Sequence, residues 1–356
     1  MKAKFFFFAA IFVAMATGAF AIVRTVSNNP NSPGQYTSLQ AAVDAAGLTG
    51  DTIMVAGSPY SYGSIIIAKR LILVGAGYHN PYGSNTIVDA FILARSNEFV
   101  SSSGTKIMGF NVNGGISFSP NYNSPGGIRL LNNILIERCS LSSVYFDSWG
   151  NSNNNDTIRN CMINSGNISI STNWGGYVEN IHIHNNIFNG AGFSSDATMS
   201  MSTLYVRNNI FINRAASSVF SGSMNFVIEN NIFYAAYPTG GTGCAFTNNI
   251  GYMCPDMPGA GNIGSGNMNS TNPMFVNFPL LGAGFSWSYD FHLQAGSPGK
   301  NAGTDGTDIG IYGGMLPLEP GTNPHFPQMM TLTLPAGSSV PAGGTLNVHF
   351  TAKKQN

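Results

Sequence analysis

Charge is scarce in this chain of 356 residues: fifteen Lys and Arg balance fifteen Asp and Glu, only 8% of all residues. A protein that holds nucleic acid electrostatically needs clustered basic residues, so no nucleic-acid partner is expected. The acids are scattered, and no strand-like stretch carries a pair of aspartates. Calcium sites need several converging carboxylates, and glycoside hydrolysis needs a close pair. Four cysteines, Cys139, Cys161, Cys244 and Cys254, match no zinc spacing. No metal and no cofactor are therefore expected.

Long apolar runs are missing beyond the N-terminus, so no transmembrane segment is expected once that end is removed. The end itself, residues 1–21, reads as a signal peptide. Lys2 and Lys4 open it, Phe5 through Met15 form its apolar stretch, and Ala19-Phe20-Ala21 is a small-x-small cleavage site. An uncleaved anchor is the alternative. The expected protein is secreted, extracellular or on the cell surface. An oxidising compartment permits disulfides.

What the chain does have is a recurring phrase. It reads Ile181-His182-Ile183-His184-Asn185-Asn186-Ile187-Phe188, then Leu204-Tyr205-Val206-Arg207-Asn208-Asn209-Ile210-Phe211, then Phe226-Val227-Ile228-Glu229-Asn230-Asn231-Ile232-Phe233. Cys244 to Ile250 is a weaker copy, and the stretches around Cys139 and Cys161 fit the same frame. The copies recur every 18–25 residues or so, a step typical of stacked repeats. Each alternates with period two and so reads as strand.

One copy cannot bury its apolar face alone, and stacking builds a continuous core. Inward positions are Ile134/Ile136, Asp156/Ile158, Ile181/Ile183, Leu204/Val206, Phe226/Ile228 and Cys244/Phe246, with Asp156 the misfit. The second Asn of each pair is expected to form a hydrogen-bonded ladder through Asn186, Asn209, Asn231 and Asn249, with Cys139 and Cys161 upstream in the same position. Asn also tolerates the left-handed corner such a coil needs. Parallel strands joined by right-handed crossovers predict an all-β, single-stranded right-handed parallel β-helix, a solenoid. Cys139 and Cys161, about 5 Å apart in adjacent coils, are either a disulfide or two buried thiols. Cys244 and Cys254 are a further possible pair.

Thr37–Ala46 is expected to be a capping helix, with Thr37 as N-cap and Gln40 completing a capping box. Strands are expected at Thr52–Ala56, Ser64–Ala68, Arg70–Val74 and Thr86–Ala90. The run from Tyr36 to Ala46, with Gly50-Asp51-Thr52-Ile53-Met54-Val55 and Ile65 to Gly75, resembles the opening of pectin-lyase-like right-handed β-helix proteins. Pro273 to Asn277, Tyr289 to Leu293, Gly296-Ser297-Pro298 and Asp308-Ile309-Gly310 resemble the last coils of secreted bacterial members. That resemblance implies the fold but no one activity, since the superfamily includes lyases, hydrolases, esterases and adhesins. The expected organisation is a signal peptide over 1–21, a β-helix over 22–315, and a Pro-rich C-terminal β tail or cap over 316–356.

Two surfaces are candidates for function. The outward column Glu137, Arg159, His184, Arg207, Glu229 places titratable groups about 5 Å apart. There an Arg or His can act as a base on a uronate, or the charges simply alternate on a solvated sheet. The second surface carries Tyr145, Asp147, Trp149, Trp174 and Tyr177, aromatics beside polar groups that suit a sugar. The leading expectation is a non-catalytic protein that contacts a polysaccharide or cell-surface glycan. The alternative is an atypical polysaccharide lyase or glycoside hydrolase acting on an acidic polysaccharide.

Overall fold

The computed structural model describes residues 21–353, apart from 49, 80–83, 98, 120–128, 148–150, 172–176, 197–202, 280–284, 319–327 and 334–348. Apart from Ala21, the expected signal peptide lies outside the described residues.

The chain winds into a parallel β-helix. One sheet stacks eleven strands from Val23–Val26 to Ile263–Ser265, a second has thirteen strands, and a third stacks Arg129–Asn132, Asn151–Asn154 and Tyr177–Glu179. Pairing between coils is parallel and in register: Ile183 lies beside Val206, and Val206 beside Ile228. The expected inward residues are buried, with Ile181, Ile183, Leu204, Val206, Phe226 and Ile228 all fully enclosed. The only helix among the described residues, Leu39–Ala45, lays Leu39, Ala42 and Val43 over the N-terminal end of this core. Its N-cap is Ser38 rather than Thr37, because the Ser38 hydroxyl accepts the Ala41 N–H. Gln40 does not complete a capping box. Its amide instead exchanges bonds with Ile66 N and O, pinning the helix to the strand Ser64–Ile67.

The asparagine ladder runs where the repeat places it and one rung further. Asn186 Nδ2 donates to Asn209 Oδ1, Asn209 to Asn231, Asn231 to Asn249 and Asn249 to Asn267, each at 3.0 Å. Each Oδ1 also accepts the main-chain N–H of the rung before it at 2.9–3.1 Å. At the upstream end Cys161 N–H donates to Asn186 Oδ1. All four cysteines are free thiols, so of the two readings of Cys139 and Cys161 the structure has the buried thiols, and Cys244 and Cys254 are not paired. Cys139 and Cys161 do share a register position, but their Sγ atoms lie against the carbonyls of Glu137 and Arg159 and they pack as small apolar groups. Cys244 and Cys254 point to separate carbonyls, of Thr242 and Phe233.

The residues after each pair divide between two cores. Phe188, Phe211 and Phe233 turn inward and stack at 4.4 and 4.9 Å. Ile187, Ile210, Ile232 and Ile250 turn outward, yet they too are buried, beneath Phe275, Phe291, Leu293, Ile309 and Ile311. The segment that resembles closing coils therefore does not add coils. Phe275–Asn277 and Asp290–Leu293 pair antiparallel, and this part of the chain roofs the outward isoleucines. The tail strands Gln328–Thr333 and His349–Lys353 pair antiparallel.

Asp156, the inward misfit, is fully buried. Its Oδ1 accepts Ile134 N–H at 2.8 Å, while Oδ2 has no hydrogen-bond partner among the described residues. Burial pushes its carboxyl well above the usual range, against the pull of that one bond. The folded state thus holds a proton that the unfolded chain releases near pH 3.9. The contribution of Asp156 to stability is fully present below that pH and falls as pH rises through the folded value. Asp156→Asn should melt higher than the parent at pH 7, with the gap closing toward pH 4, in thermal denaturation across pH. Asn209→Leu strips partners from Asn186, Asn231 and Ile183; each buried group left unpaired costs about 1–3 kcal/mol. Denaturant unfolding should show a loss of at least that size.

Candidate functional site

The outward column of the first sheet is built by the same strands that build the core, since alternate side chains face opposite ways. The structure brings its lower half into a cleft of about 350 Å³, lined by His182, His184, Tyr205, Arg207 and Glu229 on the sheet. Thr304, Asp305, Gly314, Met315 and Leu316 make the far wall. Glu137 and Arg159 belong to the same column but do not line the cleft. They pair at 3.1 Å, with Glu137 nearly buried.

The far wall is placed by the first Asn of each pair. Asn185, Asn208, Asn230 and Asn248 all have φ between 50° and 58°, the left-handed region that the corner demands. That conformation turns their side chains out to the returning chain. Asn185 Nδ2 donates to Ile311 O and Gly313 O, Asn208 to Gly310 O, Asn230 to Thr304 Oγ1 and Asn248 to Ala302 O. Asp305 accepts two bonds from Thr307, and Asp308 bonds Lys300 and Asn301 N–H, so both acids fix this turn.

Within the cleft the charges are paired and stacked. Arg207 Nε meets Glu229 Oε2 at 2.7 Å, and its guanidinium lies 4.5 Å from the Tyr205 ring centre. His182 stacks on the other side of Tyr205 at 4.9 Å. Burial lowers the basicity of both imidazoles; Arg207 lowers His182 further, and Arg159 does the same to His184 against the opposing bond to Asn185. Both are thus neutral at pH 7, and their neighbours fix which nitrogen carries the proton. The Asn185 amide nitrogen faces two carbonyls, so its Oδ1 faces His184 Nδ1, 2.9 Å away. Nδ1 therefore carries the hydrogen and Nε2 the lone pair. His182 is the other tautomer, with Nε2–H donating to Asn180 Oδ1 at 3.1 Å.

The second expected surface is only partly assembled. Tyr145 is 40% exposed and stands between Ser117 and Ser169 on adjacent strands. Tyr177 does not join it. Tyr177–Glu179 pairs with Asn151–Asn154 in a separate three-stranded sheet. Trp149, Trp174 and the Asp147 side chain lie outside the described residues. Among the described residues no three His, Cys, Asp or Glu side chains converge in a way that could hold a metal ion. No described helix is long and apolar enough to cross a membrane.

Sequence reasoning missed the far wall. The signal for it was the first Asn of each pair, which repeats as strictly as the second and needs an outward partner. For His184, carbon-13 and nitrogen-15 NMR should show titration below the usual value near 6.5 and the Nδ1–H tautomer at pH 7.

No family model and no curated protein matches this chain. Among solved structures, it is similar to the pectin methylesterase from Aspergillus niger in deglycosylated form, at 14% identity and a TM-score of 0.34, covering 71% of this chain and 87% of that one.

Proposed function

We propose that this is a secreted β-helix protein that holds an acidic glycan in the cleft between the charged column and the returning chain, without turning it over. The observation that carries this reading is the Arg207 side chain, 38% exposed, set in a cleft with the Tyr205 ring and two neutral imidazoles. Its Nε is taken by Glu229, and its Nη groups have no hydrogen-bond partner among the described residues, so they can take a second carboxylate. Ring faces with polar edges suit sugar rings. General acid and base work on a glycosidic bond needs two available carboxylates. Here Glu229 is held by Arg207, and Asp305 by Thr307. Tyr145, with Ser117 and Ser169 beside it, offers a further contact for a long chain on another face.

A second reading has one observation in its favour. His184 is a neutral base with a fixed tautomer in the same cleft as a cation. That pairing suits proton abstraction next to a carboxylate held by Arg207, which is lyase chemistry.

One experiment separates the readings. Purified protein is titrated with polygalacturonate, alginate and a neutral β-glucan, and binding is followed by calorimetry. The same samples are read for absorbance from unsaturated products. The acidic polymers should bind and the neutral one should not. Arg207→Ala should weaken binding about tenfold or more, the value of a charged hydrogen bond. Its melting temperature should barely change, because such a part-exposed pair contributes about 0–1 kcal/mol. Product that disappears in His184→Gln would turn the conclusion to a lyase, and absence of binding would sink both readings.

A further inference from the structure

The N-terminal edge of the β-helix holds a carboxylate with more donors than its position explains. Asp51 is 1% exposed and immediately precedes the strand Thr52–Val55. Its Oδ2 accepts Gly47 N–H at 3.0 Å, just beyond the capping helix, and meets Arg24 Nη2 at 3.2 Å. Its Oδ1 accepts the main-chain N–H of Ile22 at 2.9 Å. Ile22 in turn accepts Thr52 N–H, so the start of the first strand is closed onto Asp51 from both sides. Burial alone would raise the Asp51 carboxyl; the N–H groups of Ile22 and Gly47 and the Arg24 guanidinium outweigh it and hold the group below the usual range.

The expected cleavage site, Ala19-Phe20-Ala21, ends one residue before Ile22. We propose that processing between Ala21 and Ile22 turns the Ile22 nitrogen into the partner of Asp51, so that the mature N-terminal ammonium locks the cap of the β-helix. Water adds across the amide bond, with a signal peptidase as catalyst. Ala21 leaves with the new carboxylate, and the Ile22 nitrogen keeps the peptide-bond electron pair and gains protons. It becomes an ammonium at the place where one N–H already points at Asp51. A bond from a neutral amide N–H to an enclosed carboxylate is thereby replaced by one in which donor and acceptor are both charged. Arg24, itself bonded to Tyr36 Oη, is the other cation on this carboxylate and opposes part of the gain.

The proposal fixes the sign of a pH effect. An amine that gains a carboxylate partner has its folded pKa raised above the ordinary α-amino value of about 7.7–8.0. Its stabilisation is fully present below that pH and is lost as pH rises through the folded value.

The test uses the full chain exported through a secretory pathway. Intact mass and N-terminal sequencing should give Ile22 as the first residue. Mature protein is then compared with a version that keeps one extra Ala before Ile22. The free Ile22 end should melt higher by roughly 2 °C or more at pH 6, and the difference should vanish at pH 10. Asp51→Asn in both backgrounds should abolish the difference. Should that variant fail to fold, acetylation of the mature amine should lower its melting temperature to that of the extended form. A mature N-terminus elsewhere, or equal melting of the free, extended and acetylated ends at pH 6, would overturn the proposal.

Discussion

The rest of this structure depends on a buried amide that is fully satisfied only when its own copy stands in the next coil. Each internal ladder Asn spends its Oδ1 on the main chain and side chain of the preceding rung, and its Nδ2 on the next rung and a core carbonyl. Unmade, those bonds would leave several polar groups dry in the interior, each at a cost of about 1–3 kcal/mol. Made, they require neighbouring coils to sit one strand spacing apart with no slip. A register shift of one residue would break every rung and turn the apolar set outward. The ladder thus fixes register along the stack from Cys161 to Asn267.

The same corner decides what the outside looks like. Placing the second Asn inward obliges the first to adopt the left-handed conformation and point out. The isoleucine after the pair then also faces out. A column of exposed isoleucines would be an apolar patch of the kind that soluble proteins avoid, and the chain covers it with its own returning segment. The outward asparagines hold that segment by its carbonyls across sequence separations of 54 to 128 residues. The cleft is the gap between the roof and the next outward column. Its floor is local and periodic; its wall is not.

That division explains what was legible in the sequence. Period-two alternation, the recurring Asn pair and the capping helix are local patterns, and each fixed its element to within two residues or so. Ile187 and Phe188 defeated the alternation rule because both faces of that strand are buried. The roof was read as closing coils by resemblance, and the short apolar runs around Phe275 and Phe291 do not reveal whether they pair parallel or antiparallel. The charged column was visible by counting. Its closure by Thr304, Asp305 and Met315 was not, since those residues have no local relation to His184. Tyr177 was grouped with Tyr145, whereas its strand belongs to a separate three-stranded sheet.

The order of charges in the column limits what the cleft can select. Glu137, Arg159, His184, Arg207 and Glu229 read as two ion pairs flanking one imidazole, and each arginine pairs with its outer carboxylate. The sum is zero, so the column exerts little pull at long range, where salt screens exposed charges beyond about 8 Å. Recognition of an acidic group must therefore come at contact, from the arginine groups the carboxylates leave open. Burial and the neighbouring guanidiniums keep both imidazoles neutral near pH 7. They add no positive charge there, and in mild acid they gain it only below the usual histidine range. Under the proposed reading, selectivity for acidic over neutral glycans depends on Arg207 and on the Tyr205 ring beside it, because no other cation lines the described cleft.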